Sequence, residues 1–282
     1  MPRDHVEFIQ AQHLNWIDRP PGPGFEGIHC KVLSHDAGSG GCSLLLRYPA
    51  GWQRPAHFLT AAHEFMVLEG AIEWDGIGYG LDDYAWLPAG RAASGAASAA
   101  GAVVLTFFDR GPQLVAGRPP AGMPEPPAAI ERLATHELPW TSADIDPDVQ
   151  FLRLAHKVLR HDPLAGEKTL LLNSGAQTHP RGWAEAQLRH DCVEEMFLLG
   201  GDLIGERGTM YEGAYFWRPP GLWHGPFGSR RGSLSLIRLL EGRHGNEWSG
   251  AKHPFTLTPL HAPVLPAGHP AAGAAPWRPR GW

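Results

Sequence analysis

An all-β chain made of two copies of one unit is the fold that the sequence predicts. Three observations predict it. Composition is the first: among 282 residues, 35 are Gly, 27 Pro and 11 Trp, a balance that favours short strands and turns over long helices. The second is a series of short runs rich in Val, Leu and Ile, closed by Pro and Gly, as in a sandwich or small barrel. The third is an internal repeat. KVLSHD at 31–36 returns as KVLRHD at 157–162, and SLLLR at 43–47 as TLLLN at 169–173, both 126 residues later. Further on the offset is 131. Glu64 and Gly70 match Glu195 and Gly201, and Tyr84-x-Trp86-x-Pro88-x-Gly90 matches Tyr215-x-Trp217-x-Pro219-x-Gly221. A five-residue insertion between about 174 and 188 accounts for the shift, and Trp16 corresponds to Trp140 upstream.

Taken in order, residues 8–16 read as a short helix or a capping strand, and PPGPG at 20–24 breaks the chain. Strands are expected at 28–33, 43–48, 64–69, 71–79, 83–87 and 103–108, and 91–102 as a small-residue loop. The Pro/Gly-rich stretch 110–127 lacks periodicity and is the expected linker. The domains drawn from this are 1–112, a linker at 113–127, a second domain at 128–250, and an extended Pro/Ala/Gly-rich tail at 251–282.

Bulk properties narrow the function. A net charge of −5 without a basic run speaks against nucleic acid. Three cysteines, Cys30, Cys42 and Cys192, form no CxxC pair, which points to a reducing compartment and a cytoplasmic protein. No 18-residue apolar run and no apolar leader segment occur, so neither membrane spanning nor secretion is expected. GGDLIGERG at 200–208 lacks the Lys-Ser/Thr signature of a phosphate loop.

The chemistry-bearing stretch runs from Leu188 to His224. It places His190, Glu194 four residues on, and His224 after a Pro219-x-Gly221 turn. Two imidazoles and one carboxylate converging in a barrel make a 2-His-1-carboxylate set, suited to Fe(II) or another divalent first-row metal. Such a His is otherwise a satisfied core residue. Leu188, Met196, Tyr215, Trp217 and Trp223 are the expected pocket residues. Cys192 reads as a small apolar filler, and His253, His261 and His269 in the tail as solvated. Glu195 and Arg218 are candidate partners of the ligands.

On these residues the chain resembles the cupin superfamily in its two-domain form. Gly213-x5-Pro219-x-Gly221-x2-His224 follows the second cupin motif, with Gly228 in the final Asn slot. His190-x3-Glu194-x6-Gly201 follows the first in part. PAGWQRPAHFLTAAHEFMVLEG at 49–70 resembles the ChrR-like branch. The resemblance implies two tandem cupin barrels (double-stranded β-helix, jelly roll) with four metal slots each. The second copy fills them with Leu188, His190, Glu194 and His224; the first with His57, Leu59, His63 and Ala93. His57 and His63 are therefore a weak second site. It further implies an Fe2+-type dioxygenase, with Zn2+, Mn2+ or Ni2+ as other ions, acting on a small metal-chelating compound such as a diketone or hydroxyketone. Other cupin chemistry includes isomerases and hydrolases, and the alternative is a non-catalytic, ChrR-like sensory module. A homodimer is the expected assembly.

Overall fold

The computed structural model describes residues 3–18 and 21–274. Pro20 of the first turn and residues 275–282 of the tail lie outside the described residues. Strand dominates; 3-10 turns at Ala11–His13, Thr135–Glu137 and Pro147–Leu152 are the helical pieces among the described residues. No helix among them is long and apolar enough to cross a membrane.

The chain divides into two compact units: Asn15–Leu138, and Asp4–Leu14 with Pro139 onward. The first unit has a six-stranded antiparallel sheet in the order Ile130–Ala134, Asp83–Leu87, His63–Gly70, Ala102–Phe108, Cys42–Tyr48, His29–His35. Cys42, Leu44, Leu46 and Tyr48 alternate onto one face and pack with Phe65, Trp74 and Phe108 in a core. Each such buried side chain contributes about 1.5–3 kcal/mol of hydrophobic stabilisation. The second unit repeats the layout, with the order Val6–Gln10, Ala214–Arg218, Val193–Gly205, Ser233–Leu240, Glu167–Ser174, Ala155–Asp162. Ala184–Arg189 pairs with Glu247–Pro254 in a smaller sheet.

Several features depart from the sequence reading. The main sheet of each unit takes an edge strand from the opening of the other repeat, and in the second unit Gly208–Tyr211 adds a seventh strand beside Val193–Gly205. Val6–Gln10 pairs in the second unit and Ile130–Ala134 in the first. Residues 8–16 are thus a strand end and a 3-10 turn, and the first unit runs past the Pro/Gly-rich stretch to Leu138. That stretch is not all linker, because Leu114–Ala116 pairs with His57–Leu59. The 91–102 loop likewise contains paired strands at Ala92–Ala93 and Ala96–Ser98. Of the courses open to an extended tail, the described part packs on its own unit: its first residues lie within Glu247–Pro254, and Val264 bridges Glu7. His261 sits edge-on to Phe8 at 5.4 Å rather than in solvent.

The repeated residues explain why the repeat is visible. Tyr84 donates to Glu64 Oε1 at 2.6 Å, and Tyr215 donates to Glu195 Oε1 at 2.7 Å, both pairs buried. A buried tyrosine hydroxyl is stabilised by an acceptor, and here both partners recur together. Trp74 lies opposite Ala96 in the first unit, and the corresponding positions in the second are Gly205 and Phe227. The bulk has changed strands. A Cβ on Gly205 would approach Phe227 Cε1 to 2.7 Å, so the glycine is required by the phenyl ring.

In the first unit Trp74 meets the His57 and His63 rings edge-on at 4.9 and 5.2 Å, and His63 stacks on Phe108 at 4.9 Å. Burial, followed by the charge of neighbouring His57, pushes the His63 pKa down to about 3 from 6.5. The neutral ring therefore carries its full stability contribution above pH 6.5 and loses it as pH falls towards 3, by up to ~1.4 kcal/mol per unit. His63→Phe is expected to flatten the acid limb of stability between pH 6 and 4, read from urea midpoints. An unchanged slope would mean that the ring protonates freely in the folded chain.

Candidate metal centre

His190, Glu194 and His224 come together in the second unit by local backbone logic. Gly221 has φ 78, the left-handed conformation that glycine adopts without strain. Its amide donates to the His190 carbonyl at 2.8 Å. The chain then reverses, and Leu188 and His224 exchange backbone hydrogen bonds of 3.1 and 3.0 Å. The Pro-x-Gly turn thus docks one imidazole beside the other. Glu194 enters from Val193–Gly205, between Leu239 and Arg218 on the flanking strands.

One ligand atom from each of the three residues lies within 4.8 Å of those from the other two. His190 Nε2 is 3.7 Å and His224 Nε2 3.6 Å from the same oxygen, Glu194 Oε2. The other ring nitrogens are occupied: His190 Nδ1 meets the Gly245 carbonyl at 3.1 Å, and His224 Nδ1 the Leu222 carbonyl at 2.9 Å. A carbonyl only accepts, so each Nδ1 is the donor of its hydrogen bond and each Nε2 faces inward. Burial, reinforced by Arg218, pushes the His224 pKa down to about 3, which keeps that ring neutral. The donor set fits a divalent first-row ion: two imidazole nitrogens and an anionic oxygen, each oriented by a second hydrogen bond.

Arg218 completes the cluster. Its guanidinium donates through Nη1 to Glu194 Oε2, and through Nε at 2.9 Å and Nη2 to the two carboxylate oxygens of Glu7. Burial alone would raise the Glu7 pKa, but Arg218 and the His5 contact outweigh it and hold the value down at about 2. Glu194 shows the same contest, and Arg218 with the imidazoles keeps it below the usual carboxylate range. Both acids are therefore ionised at neutral pH, at burial that would otherwise protonate them.

The three residues open into a cavity of about 280 Å³ walled by Leu170, Leu172, Met196, Phe216 and Leu239. Of the expected pocket residues, Leu188 and Met196 line it. Tyr215, Trp217 and Trp223 do not. Phe216 faces inward, so strand alternation turns Tyr215 and Trp217 to the opposite face, where Trp217 pairs with Val6. Trp223 is 40% exposed, beneath the Arg189 guanidinium. Glu195 also points outward, bound by Tyr215 and Arg238, whereas Arg218 touches Glu194 directly.

Sequence reasoning missed two residues of this site. Glu7 sits in the other repeat's opening strand, and no spacing signal links it to His224. His244 follows Ser233–Leu240, has no histidine counterpart in the first repeat, and packs on the His190 ring at 4.4 Å. Burial, then His190, pushes its pKa down to about 4. In the first unit the corresponding slots also coincide, His57 pairing with Ala93 as Leu188 does with His224. There, however, His57 Nε2 and both His63 nitrogens are buried without a partner, and Trp74 fills the space between strands. The one group of three metal-capable residues among the described residues is His190, Glu194 and His224.

A family model described as Domain of unknown function (DUF4437) matches residues 7–242. No curated protein matches the chain. Among solved structures, it is similar to a protein from Nostoc punctiforme described as a putative dioxygenase. That match has 18% identity over 91% of this chain and 88% of that one, with a TM-score of 0.74. It is also similar to a variant of salicylate 1,2-dioxygenase from Pseudoaminobacter salicylatoxidans, with 12% identity over 75% of each chain and a TM-score of 0.52. A third is oxalate decarboxylase from Bacillus subtilis, studied for its Mn(II) centres, with 10% identity over 86% of this chain and 79% of that one, and a TM-score of 0.52. At these identities the likeness establishes the fold: all-β, with two tandem cupin barrels.

Proposed function

Since the chain belongs to the DUF4437 family, which is defined without an assigned activity, we propose its function from the site: a metal-dependent two-domain cupin enzyme, of the Fe(II) dioxygenase type. The observation that carries this reading is the pair of Nδ1-tethered imidazoles whose Nε2 atoms face one ionised carboxylate oxygen at the wall of an apolar cavity. His190 Nε2, His224 Nε2 and Glu194 would hold the ion. Bound there, a divalent metal supplies Lewis acidity and, as Fe(II), reactivity towards dioxygen. Leu188 occupies the fourth slot and offers no donor, which leaves room for substrate oxygens. Arg218 keeps Glu194 ionised, and the Leu170, Leu172, Met196 and Phe216 side chains exclude water from the reacting face. The substrate is a small oxygenated compound that can chelate, such as a diketone or hydroxyketone. The dioxygenases among the structural neighbours support the same reaction class.

Elemental analysis of protein purified without chelator, followed by oxygen uptake with Fe(II) and a diketone panel, tests the proposal. About one metal per chain and substrate-dependent uptake are expected. Metal without uptake would favour the alternative, a non-catalytic module of the ChrR-like kind; no metal would end the enzymatic reading.

A further inference from the structure

The cavity carries a charge that the metal site does not use. On Glu167–Ser174, Lys168, Leu170, Leu172 and Ser174 occupy alternate positions, and all four line the cavity. The repeat shows what belongs at such positions. In the first unit the counterparts are Cys42, Leu44, Leu46 and Tyr48, all buried in its core. The second unit has therefore placed an ammonium where its duplicate has a small apolar side chain. Lys168 is half-buried there, so its ammonium is only partly solvated and is available to a ligand in the cavity. It has no carboxylate partner among the described residues.

The surroundings explain which ligand would compensate it. Lys168 lies electrostatically beside His244 and His156, both of which line the cavity. The cavity also includes the acids Asp144, Asp146 and Glu194, none of which pairs with Lys168. Asp146 accepts from Asn246 at 2.7 Å, Trp248 at 3.3 Å and the Asp148 amide at 2.9 Å. Asp144 acts on His156, and Glu194 is held by Arg218. Position matters as well. Lys168 faces Leu239 across one strand pair and Leu239 faces Glu194 across the next. The Lys168 and Glu194 backbone positions thus stand in one row, two strand spacings or roughly 10 Å apart across the sheet.

We propose that Lys168 is an anion-anchoring residue of this cavity, and that its ligand is a small apolar acid bound by its carboxylate at Lys168. This rests on reading the cavity as the active site, and it adds the substrate class. The acid's opposite end would carry the oxygen groups that face His190, Glu194 and His224, across the Leu170 and Leu239 wall.

Calorimetric titration of the full chain with benzoate, and with benzamide as its neutral counterpart, tests the assignment. The wild type should bind benzoate in preference to benzamide. Lys168→Gln should lose roughly tenfold or more in benzoate affinity and leave benzamide unaffected, while Lys168→Arg should keep the preference. Metal content of Lys168→Gln should equal that of the wild type, which separates this residue from the metal site. An equal response to acid and amide in the wild type, including no binding of either at millimolar concentration, would overturn the anchor. A wild type that prefers benzoate but holds no metal would keep the anchor and refute the metalloenzyme.

Discussion

Arg218→Met is expected to destabilise the protein by about 3–5 kcal/mol, the usual cost of breaking a buried ion pair from one side. Methionine nearly fills the volume, so the loss is electrostatic. It leaves Glu7 and Glu194 buried, facing each other without the guanidinium that now binds both. The pH dependence identifies the cause. Glu7 falls from 4.5 to about 2 in the folded chain. Its contribution is therefore complete above pH 4.5 and disappears as pH drops towards 2. That interval corresponds to ~3 kcal/mol, in the range expected for the variant. The gap between wild type and Arg218→Met should accordingly shrink as pH falls from 5 to 2. Glu7→Gln combined with Arg218→Met should cost less than the two single changes together, by ~2 kcal/mol or more. Additivity within about 0.5 kcal/mol would show that the two residues are not coupled. Glu7→Gln alone should weaken metal binding by roughly 10–100-fold, as changes behind a metal ligand do.

This coupling marks the limit of what the sequence reveals. Strand alternation, turn chemistry and repeat spacing are local, and each left a readable trace. Gly221 needs its left-handed φ, Pro219 and Gly221 set the turn, and His190 and Glu194 keep a fixed spacing across the short link from Ala184–Arg189 to Val193–Gly205. The duplicated sheet was legible for the same reason. The buried Tyr84–Glu64 and Tyr215–Glu195 pairs serve each unit alike, and Leu44 and Leu170 hold the same inward position. What remained hidden depends on strand partnership across the chain. Glu7 lies 211 positions from Arg218, and only the exchange of opening strands brings the two together. The aromatic residues misled by proximity. Tyr215, Trp217 and Trp223 are close to the ligands in sequence, but alternation and the exposed turn point them away from the cavity. His244 and Lys168 break the repeat, so a reading that fills slots by correspondence passes over them.

His224→Ala should empty the metal site without unfolding the second unit. The two backbone bonds between Leu188 and His224 do not involve the imidazole, and Gly221 still docks on the His190 carbonyl. The turn therefore keeps its place when the ring is removed. What disappears is one of three donors, and His190 with Glu194 alone leaves a two-ligand site too weak to retain a divalent ion through purification. Metal content should fall from about one per chain to a small fraction, and substrate-dependent oxygen uptake should fall by at least ~100-fold. The urea midpoint measured on metal-free protein should change little. The exposed neighbour provides the control: Trp223→Ala removes a side chain stacked under Arg189 and should retain both metal and uptake. If Trp223→Ala lost metal as fully as His224→Ala, the turn backbone rather than the imidazole would be responsible. If His224→Ala kept its metal, the ion would have to sit elsewhere, and the convergence of three side chains on Glu194 Oε2 would be structural.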